Sequence, residues 1–210
     1  MTWYRMSDNE RGERPAIPCS RDDAEYYNDP ARQFGIFATV NEFNGPRRKD
    51  RLVRIRAWAI DIDAGTKEQM RAKLLASPLV PSLIVETKRG YQAYWVAKPP
   101  AQAEHWNAIV LERLVPRFGA DKNARDLCRI LRVPGYYHLK DPSDPFLVRV
   151  AWRHRVSYSE RQMAEAFAWV GDPVAQRQAH DEARREAERE IREHAKQGAI
   201  AAGLAPTESL

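Results

Sequence analysis

Asp61 and Asp63 stand one residue apart at the end of a largely apolar run, Leu52-Val53-Arg54-Ile55-Arg56-Ala57-Trp58-Ala59-Ile60-Asp61-Ile62-Asp63. β-Branched and aromatic residues dominate the run, which predicts one long strand over 52–63. Alternation along a strand puts both carboxylates on one face with Ala57 and Ala59. Like charges on neighbouring pleats repel, and burying either without a positive partner costs on the order of several kcal/mol. A divalent cation between them relieves both penalties. Oxygen-only ligation, with no His or Cys nearby, selects Mg²⁺ or Mn²⁺ over zinc. The competing reading is a strand end whose carboxylates point into water. Arg54 and Arg56 fall on the opposite face with Trp58, Ile60 and Ile62, so alternation sets them away from the acids.

Three further segments carry groups that bind anions. Thr87-Lys88-Arg89-Gly90-Tyr91 joins two short apolar runs, 82–86 and 92–96, and predicts a hairpin. Gly90 lacks a side chain where another backbone or a phosphate approaches closely, Lys88 and Arg89 are cations at the tip, and Gln92 is an uncharged donor and acceptor. Gly119-Ala120-Asp121 is followed by Asp126, Arg129, Arg132, Pro134, Gly135, His138 and Lys140. Arg129, Arg132 and Lys140 suit a triphosphate clamp, because guanidinium forks match phosphate oxygens. A surface ion-pair cluster is the plainer alternative, and the two arginines share a face only if the piece is a helical turn. Arg47, Arg48, Lys49 and Arg51 form a basic loop that reaches either a nucleic-acid backbone or solvent.

The elements that must position these groups follow from turn and cap signals. Residues 1–33 read as a polar lead-in with one short helix near 21–27. Phe34–Val40 is a strand, and Asn41–Pro46 is rich in turn formers. Thr66 caps a helix over 67–76, closed by Pro78 and Pro81. Trp106, Val110, Leu111, Leu114 and Val115 fall on one stripe of a helix over 101–118. Phe146–Trp152 alternates as a strand, and Ser159 with Gln162 forms a capping box for a helix over 160–170. The order strand, helix, hairpin, helix, strand, helix indicates an α/β (α+β) fold with a largely antiparallel or mixed sheet.

The whole chain has 210 residues, with 34 Lys+Arg against 29 Asp+Glu. Residues 173–210 hold six basic and seven acidic side chains, so the body, 1–172, carries the positive excess that suits a polyanionic partner. From Val174 to Ala201 the only large apolar residues are Ile191 and Ile200, which predicts a long solvated helix, too thin in its stripe for a coiled coil. Cys19 and Cys128 are far apart and lack a His/Cys cluster, which excludes a disulfide framework and a four-ligand zinc site. No apolar leader and no run of about 18 uncharged apolar residues is present, so the expectation is a soluble protein of a reducing compartment.

Taken in order, these segments resemble the archaeo-eukaryotic primase superfamily. VNEFNG, RIRAWAIDID, VETKRGYQAYW and GADKNARDLCRILRVPGYYHLK are similar to RepB-type plasmid and phage primases and primase-polymerases, over about residues 34–150. The resemblance implies the catalytic fold of that superfamily: an RRM-like mixed or antiparallel sheet flanked by helices, spanning 1–158, with a C-terminal helical extension over 159–210. It implies that Asp61, Asp63 and Asp121 form a three-carboxylate catalytic site for two Mg²⁺ or Mn²⁺ ions. It further implies that Lys88, Gly90, Gln92, Arg129, Arg132 and Lys140 contact the nucleotide. Gln92 is a departure, since the family more often has His there; Gln still donates to a phosphate oxygen but carries no charge. Arg47, Arg48, Lys49 and Arg51 would then hold single-stranded DNA template.

The implied activity is primer synthesis from NTPs or dNTPs, in the bacterial cytoplasm, encoded by a plasmid, phage or mobile element. No G-x-x-x-x-G-K-[ST] run exists, so unwinding falls to a separate helicase, which the C-terminal helix could recruit. The alternatives from other classes are a catalytically silent single-strand-binding module and an origin-binding initiator.

Overall fold

The apolar run that ends in the acidic pair folds as two strands, not the single strand predicted. In the computed structural model, which describes residues 2–8, 15–121 and 126–168, Leu52–Arg54 and Ala57–Ile62 have different partners. Between them the Arg56 N–H donates to Asn41 Oδ1 at 3.1 Å, and the Arg56 carbonyl accepts from the Ala97 N–H at 2.8 Å. A side-chain acceptor thus replaces one ladder bond, and the chain passes from one ribbon to another.

In chain order the strands are β1 (Trp3–Ser7), β2 (Ile17–Cys19), β3 (Phe34–Thr39), β4 (Glu42–Phe43), β5 (Leu52–Arg54), β6 (Ala57–Ile62), β7 (Leu83–Glu86), β8 (Tyr91–Val96), β9 (Ile130–Arg132), β10 (Tyr137–His138), β11 (Phe146–Leu147) and β12 (Arg149–Arg153). Two four-stranded sheets form, ordered β2-β1-β3-β9 and β12-β7-β8-β6, and every pairing in them is antiparallel. The fold is therefore the mixed α/β class with antiparallel sheets. The lead-in predicted as polar supplies β1, which lies inside the first sheet between β2 and β3. The strand predicted over 146–152 divides at the buried Val148, whose N–H donates to Tyr136 O and whose carbonyl accepts from the Gly135 N–H.

Capping boxes start three helices: Ser20 with Asp23 for α1 (Arg21–Tyr27), Thr66 with Gln69 for α2 (Lys67–Leu75), and Ser159 with Gln162 for a helix over Glu160–Ala166. The helix predicted over 101–118 is irregular. After a 3₁₀ turn, Ala103–His105, it runs as α3 (Trp106–Ile109), a π turn (Val110–Leu114) and α4 (Val115–Phe118). Trp106, Val110, Leu114 and Phe118 recur every four residues and all are buried. A straight α-helix would rotate such a stripe off the core, and the wider π turn keeps it facing inward.

The main core lies between these helices and one face of the second sheet. Trp58, Ile60 and Ile62 of β6 pack there with Leu74, Trp95, Trp106, Leu114 and Phe118. The opposite face of β6 presents Ala57 and Ala59, which cluster with Val40, just after β3, and Leu131 of β9. Alternation along β6 thus holds as read.

One compact unit runs from Met1 to Ala168. The helix Glu160–Ala166, now α5, belongs to it. Met163 and Phe167 are fully buried in the main core, and the Phe167 ring lies 5.6 Å from Trp95, which moves the boundary expected at residue 158 to Ala168. The solvated helix expected over 174–201, and with it the proposed helicase contact, lies outside the described residues. Among the described residues no helix is long and apolar enough to cross a membrane.

Candidate active site

A cavity of about 500 Å³ opens where the acidic end of β6 meets β8, β9 and the segment after β9, and Asp61, Asp63, Gln92, Asp121, Arg129, Arg132 and Lys140 all line it. Two elements far apart in sequence bring the acids together. Gly119 ends α4 in the left-handed conformation at φ 67°, and the chain then turns so that the Asp121 N–H donates to Asp61 O at 2.8 Å. The third carboxylate is thus fastened beside the first by main chain.

Burial pushes the Asp61 carboxyl up to about 6. Arg129 and Arg132 pull it down, while the nearby Asp63 and Asp121 carboxylates add to the rise. Asp63 Oδ2 accepts from Arg89 Nη2 at 3.0 Å, and Asp121 Oδ2 lies 3.9 Å from Arg129 Nη2. Among the described residues no three His, Cys, Asp or Glu side chains close to metal-ligating distance. The three carboxylates share a cavity but do not form a closed cage, because guanidinium groups engage Asp63 and Asp121. The donor set still fits a hard divalent cation. It is all oxygen, and such an ion would offset the charge that burial, and to a lesser extent the neighbouring acids, disfavours on Asp61.

Gln92 sits directly opposite Asp61 in the β6–β8 ladder and is buried. Tyr94, two residues on, donates its hydroxyl to Gln92 Oε1 at 3.3 Å. Burial and the Asp61 charge push the Tyr94 phenol upward, so it stays protonated as that donor. With its oxygen engaged, Gln92 keeps its amide hydrogens for the cavity.

Arg132, on β9, is held from below. Its Nη2 and Nη1 donate to Asp8 Oδ1 and Oδ2 at 2.6 and 3.1 Å, and the Leu139 N–H donates to Asp8 Oδ2 at 2.9 Å. Asp8 is 2% exposed, so this is a buried ion pair. Gly35 makes room for it, since a Cβ there would lie 2.5 Å from Arg132 Nη1. Arg129 belongs to the turn before β9, its N–H donating to Asp126 O. Both arginines reach the same cavity without sharing a helical face.

The remaining predicted residues are placed differently. Lys88 lines no part of the cavity: its Nζ donates to Asp144 O at 2.7 Å and lies 3.0 Å from Asp144 Oδ2. Gly90 serves a backbone, since a Cβ there would lie 1.9 Å from Ile62 O. Its hairpin packs on the end of β6 and supports the acidic pair. Arg47 lines the cavity and donates to Cys128 O at 2.6 Å. Arg48, Lys49 and Arg51 lie on an exposed 3₁₀ turn, with Arg48 and Arg51 beside Asp50, and none of the three lines the cavity.

Three groups go unassigned in the sequence reading, two in the cavity wall (Arg89 and His138) and one beneath it (Asp8). Asp8 gives no signal in a polar segment. Arg89 is visible only as a cation at a hairpin tip. His138 lines the cavity, is 8% exposed, and burial with Arg132 lowers it to about 4, so the ring is neutral.

Residues 45–179 match the RepB DNA-primase N-terminal domain. A replication protein from Clostridium perfringens is 28% identical over 146 residues, which is 63% of this chain and 35% of that one, so the chain spans about a third of that relative. Among solved structures, the archaeo-eukaryotic primase domain of the cyanophage S-2L primase-polymerase superposes with a TM-score of 0.63 at 16% identity, over 80% of this chain and 89% of that one. Primase RepB′ superposes at 0.56 with 17% identity, over 91% and 64%. Its catalytic domain in complex with initiator DNA superposes at 0.54 with 16% identity, over 85% and 89%. At these identities the structural likeness is one of fold. The family match takes in β6, β8, β9 and all three acids that line the cavity, and on that ground the chain belongs to the RepB DNA-primase N-terminal domain family.

Proposed function

We propose that this chain is a primase or primase-polymerase that joins nucleotides on a single-stranded DNA template for replication. The observation that carries the reading is one cavity lined together by Asp61, Asp63, Asp121, Arg129, Arg132 and Lys140, in a chain of the RepB primase family. Carboxylates and cations interleaved in one cavity suit a reaction in which a 3′-hydroxyl attacks an α-phosphate and pyrophosphate departs. Mg²⁺ or Mn²⁺, held by Asp61, Asp63 and Asp121, would supply activation of the 3′-hydroxyl and charge neutralisation at the phosphoryl group.

The chain's own groups do the rest. Arg129, Arg132 and Lys140 face the polyphosphate, where charge grows as pyrophosphate leaves. Arg132 is pre-aimed by Asp8, and so needs little ordering when nucleotide binds. Gln92, with its oxygen held by Tyr94, turns an uncharged donor to a phosphate oxygen. Arg89 and Arg129 release Asp63 and Asp121 to ligation when phosphate offers them an alternative partner. Arg47 extends the basic wall, and Arg48, Lys49 and Arg51 offer exposed cations to template phosphates, a contact that weakens steeply with salt. The catalytic domain of RepB′ bound to initiator DNA supports DNA as the partner.

The test is de novo synthesis on single-stranded template with labelled NTPs and dNTPs, with Mg²⁺, with Mn²⁺ and with neither. Metal-dependent products that disappear in Asp61→Asn are expected. A wild-type chain that binds single-stranded DNA yet makes no product with either metal would replace the enzyme reading with that of a binding module.

A further inference from the structure

Among the described residues His138 is the one imidazole in the cavity wall, and it has no assigned task. It lies on β10 opposite Phe146 of β11, with Arg132 beside it and Lys140 two residues further along the same wall. Nδ1 is sealed from solvent and has no hydrogen-bond partner, and among the described residues nothing else bonds the ring. A structural histidine buried to this degree normally donates or accepts at both nitrogens.

The bare Nδ1 fixes the tautomer. An N–H buried there would have nothing to accept it, whereas a lone pair costs less and faces the positive field of Arg132. The proton of the neutral ring therefore sits on Nε2, on the edge of the ring left to face the cavity. The charged groups that act most strongly on the ring are the cations Arg132, Lys88 and Arg89 and the acid Asp8. Asp8 is spent on Arg132 and the Leu139 N–H. A lone N–H donor set among cations favours an anionic acceptor, and a phosphate oxygen meets that better than a sugar hydroxyl or a base.

We propose that His138 is a nucleotide-contacting residue whose Nε2–H donates to the polyphosphate tail of the bound nucleoside triphosphate, between Arg132 and Lys140. This rests on the nucleotidyl-transfer reading above and extends it to a residue from the segment after β9. The chain thereby places an imidazole in the cavity from a different strand than the one that carries Gln92, and the two uncharged donors approach the phosphates from separate sheets.

Binding of dATP, ATP and the matching monophosphates, measured by calorimetry with Mg²⁺ on the full chain, tests it. His138→Leu is expected to weaken triphosphate binding about tenfold, the value of one hydrogen bond to a charged acceptor, and to leave monophosphate binding unchanged. His138→Asn, which keeps an N–H donor, is expected to recover most of the loss. Equal weakening of tri- and monophosphates, or no change in either, overturns the proposal. Where a variant fails to fold, ring-¹⁵N spectra of the wild type decide. The His138 Nε2 signal is expected to move with triphosphate and not with monophosphate, and a stationary signal under saturating triphosphate overturns the proposal alone. A wild-type chain that binds no triphosphate overturns it together with the reading it rests on.

Discussion

The main-chain N–H of Asp121 donates to the carbonyl oxygen of Asp61 at 2.8 Å. Two carboxylates from distant parts of the chain are therefore spaced by backbone, not by their own side chains. Substitutions at either side chain leave that spacing intact, so they report on charge and chemistry and not on the geometry of the fold.

Asp61 gives a pH signature. Its folded-state carboxyl stands at about 6 against an ordinary 3.8. A pKa raised on folding means the native state holds the proton longer, so the stability linked to this group is full below about pH 4 and is lost as pH rises through 6. The ionised group then costs on the order of 2–3 kcal/mol at pH 7. Asp61→Asn is expected to show a higher urea midpoint than wild type at pH 7 and a matching one at pH 4. Mg²⁺ is expected to raise the wild-type midpoint at pH 7 and not that of Asp61→Asn. Coincident midpoints at pH 7 would show that the buried charge costs nothing.

The Asp8–Arg132 pair behaves otherwise. Both groups are buried, with side-chain exposures of 1% and 12%, so removing either strands the other. Asp8→Ala and Arg132→Ala are each expected to lose about 3–5 kcal/mol in urea unfolding. Losses below about 1 kcal/mol would mean water reaches the surviving charge.

Arg129 separates binding from stability. Its side chain is about one-third exposed, and its Nη2 lies 3.9 Å from Asp121 Oδ2. Arg129→Ala is expected to raise the KM for nucleotide about tenfold with the thermal midpoint nearly unchanged. Lys88→Ala, whose amine is turned to Asp144, is expected to leave KM near the wild-type value. The reverse ranking in initial-rate measurements would exchange their roles.

A chain ended at Ala168 is expected to fold and keep its nucleotide binding, whereas one ended at Tyr158 is not. The shorter chain loses Met163 and Phe167, which fill the core against Trp95 and Phe118. Exposing that core costs on the order of 5 kcal/mol or more, comparable to the whole stability of a domain. Circular dichroism of the two truncations distinguishes these outcomes.

Much of the second sheet is legible in the sequence because its signals are local. Alternation along 57–62 sets Ala57 and Ala59 on one face with Asp61 and sends Trp58, Ile60 and Ile62 to the core, and the Gly-bearing hairpin at 87–91 reads from its own residues. What escapes the sequence is decided by partners. The break at Ile55–Arg56 depends on the amide of Asn41. The strand Trp3–Ser7 mixes polar and aromatic residues with no clear period, and its pairing with neighbours on both sides makes it a strand. Asp8 matters only because Arg132 arrives above it, and the π turn at Val110–Leu114 appears only when a four-residue apolar spacing has a core to follow.

The carboxylate of Asp8 meets its guanidinium only after the chain 124 positions further on has been synthesised. On the ribosome, β1 and β3 can pair early, yet the acid between them stays solvated until β9 emerges and closes a long loop. The cationic wall of the cavity is therefore among the last features to assemble, and nascent chains stalled before β9 are expected to lack the nucleotide site whatever secondary structure they have already gained.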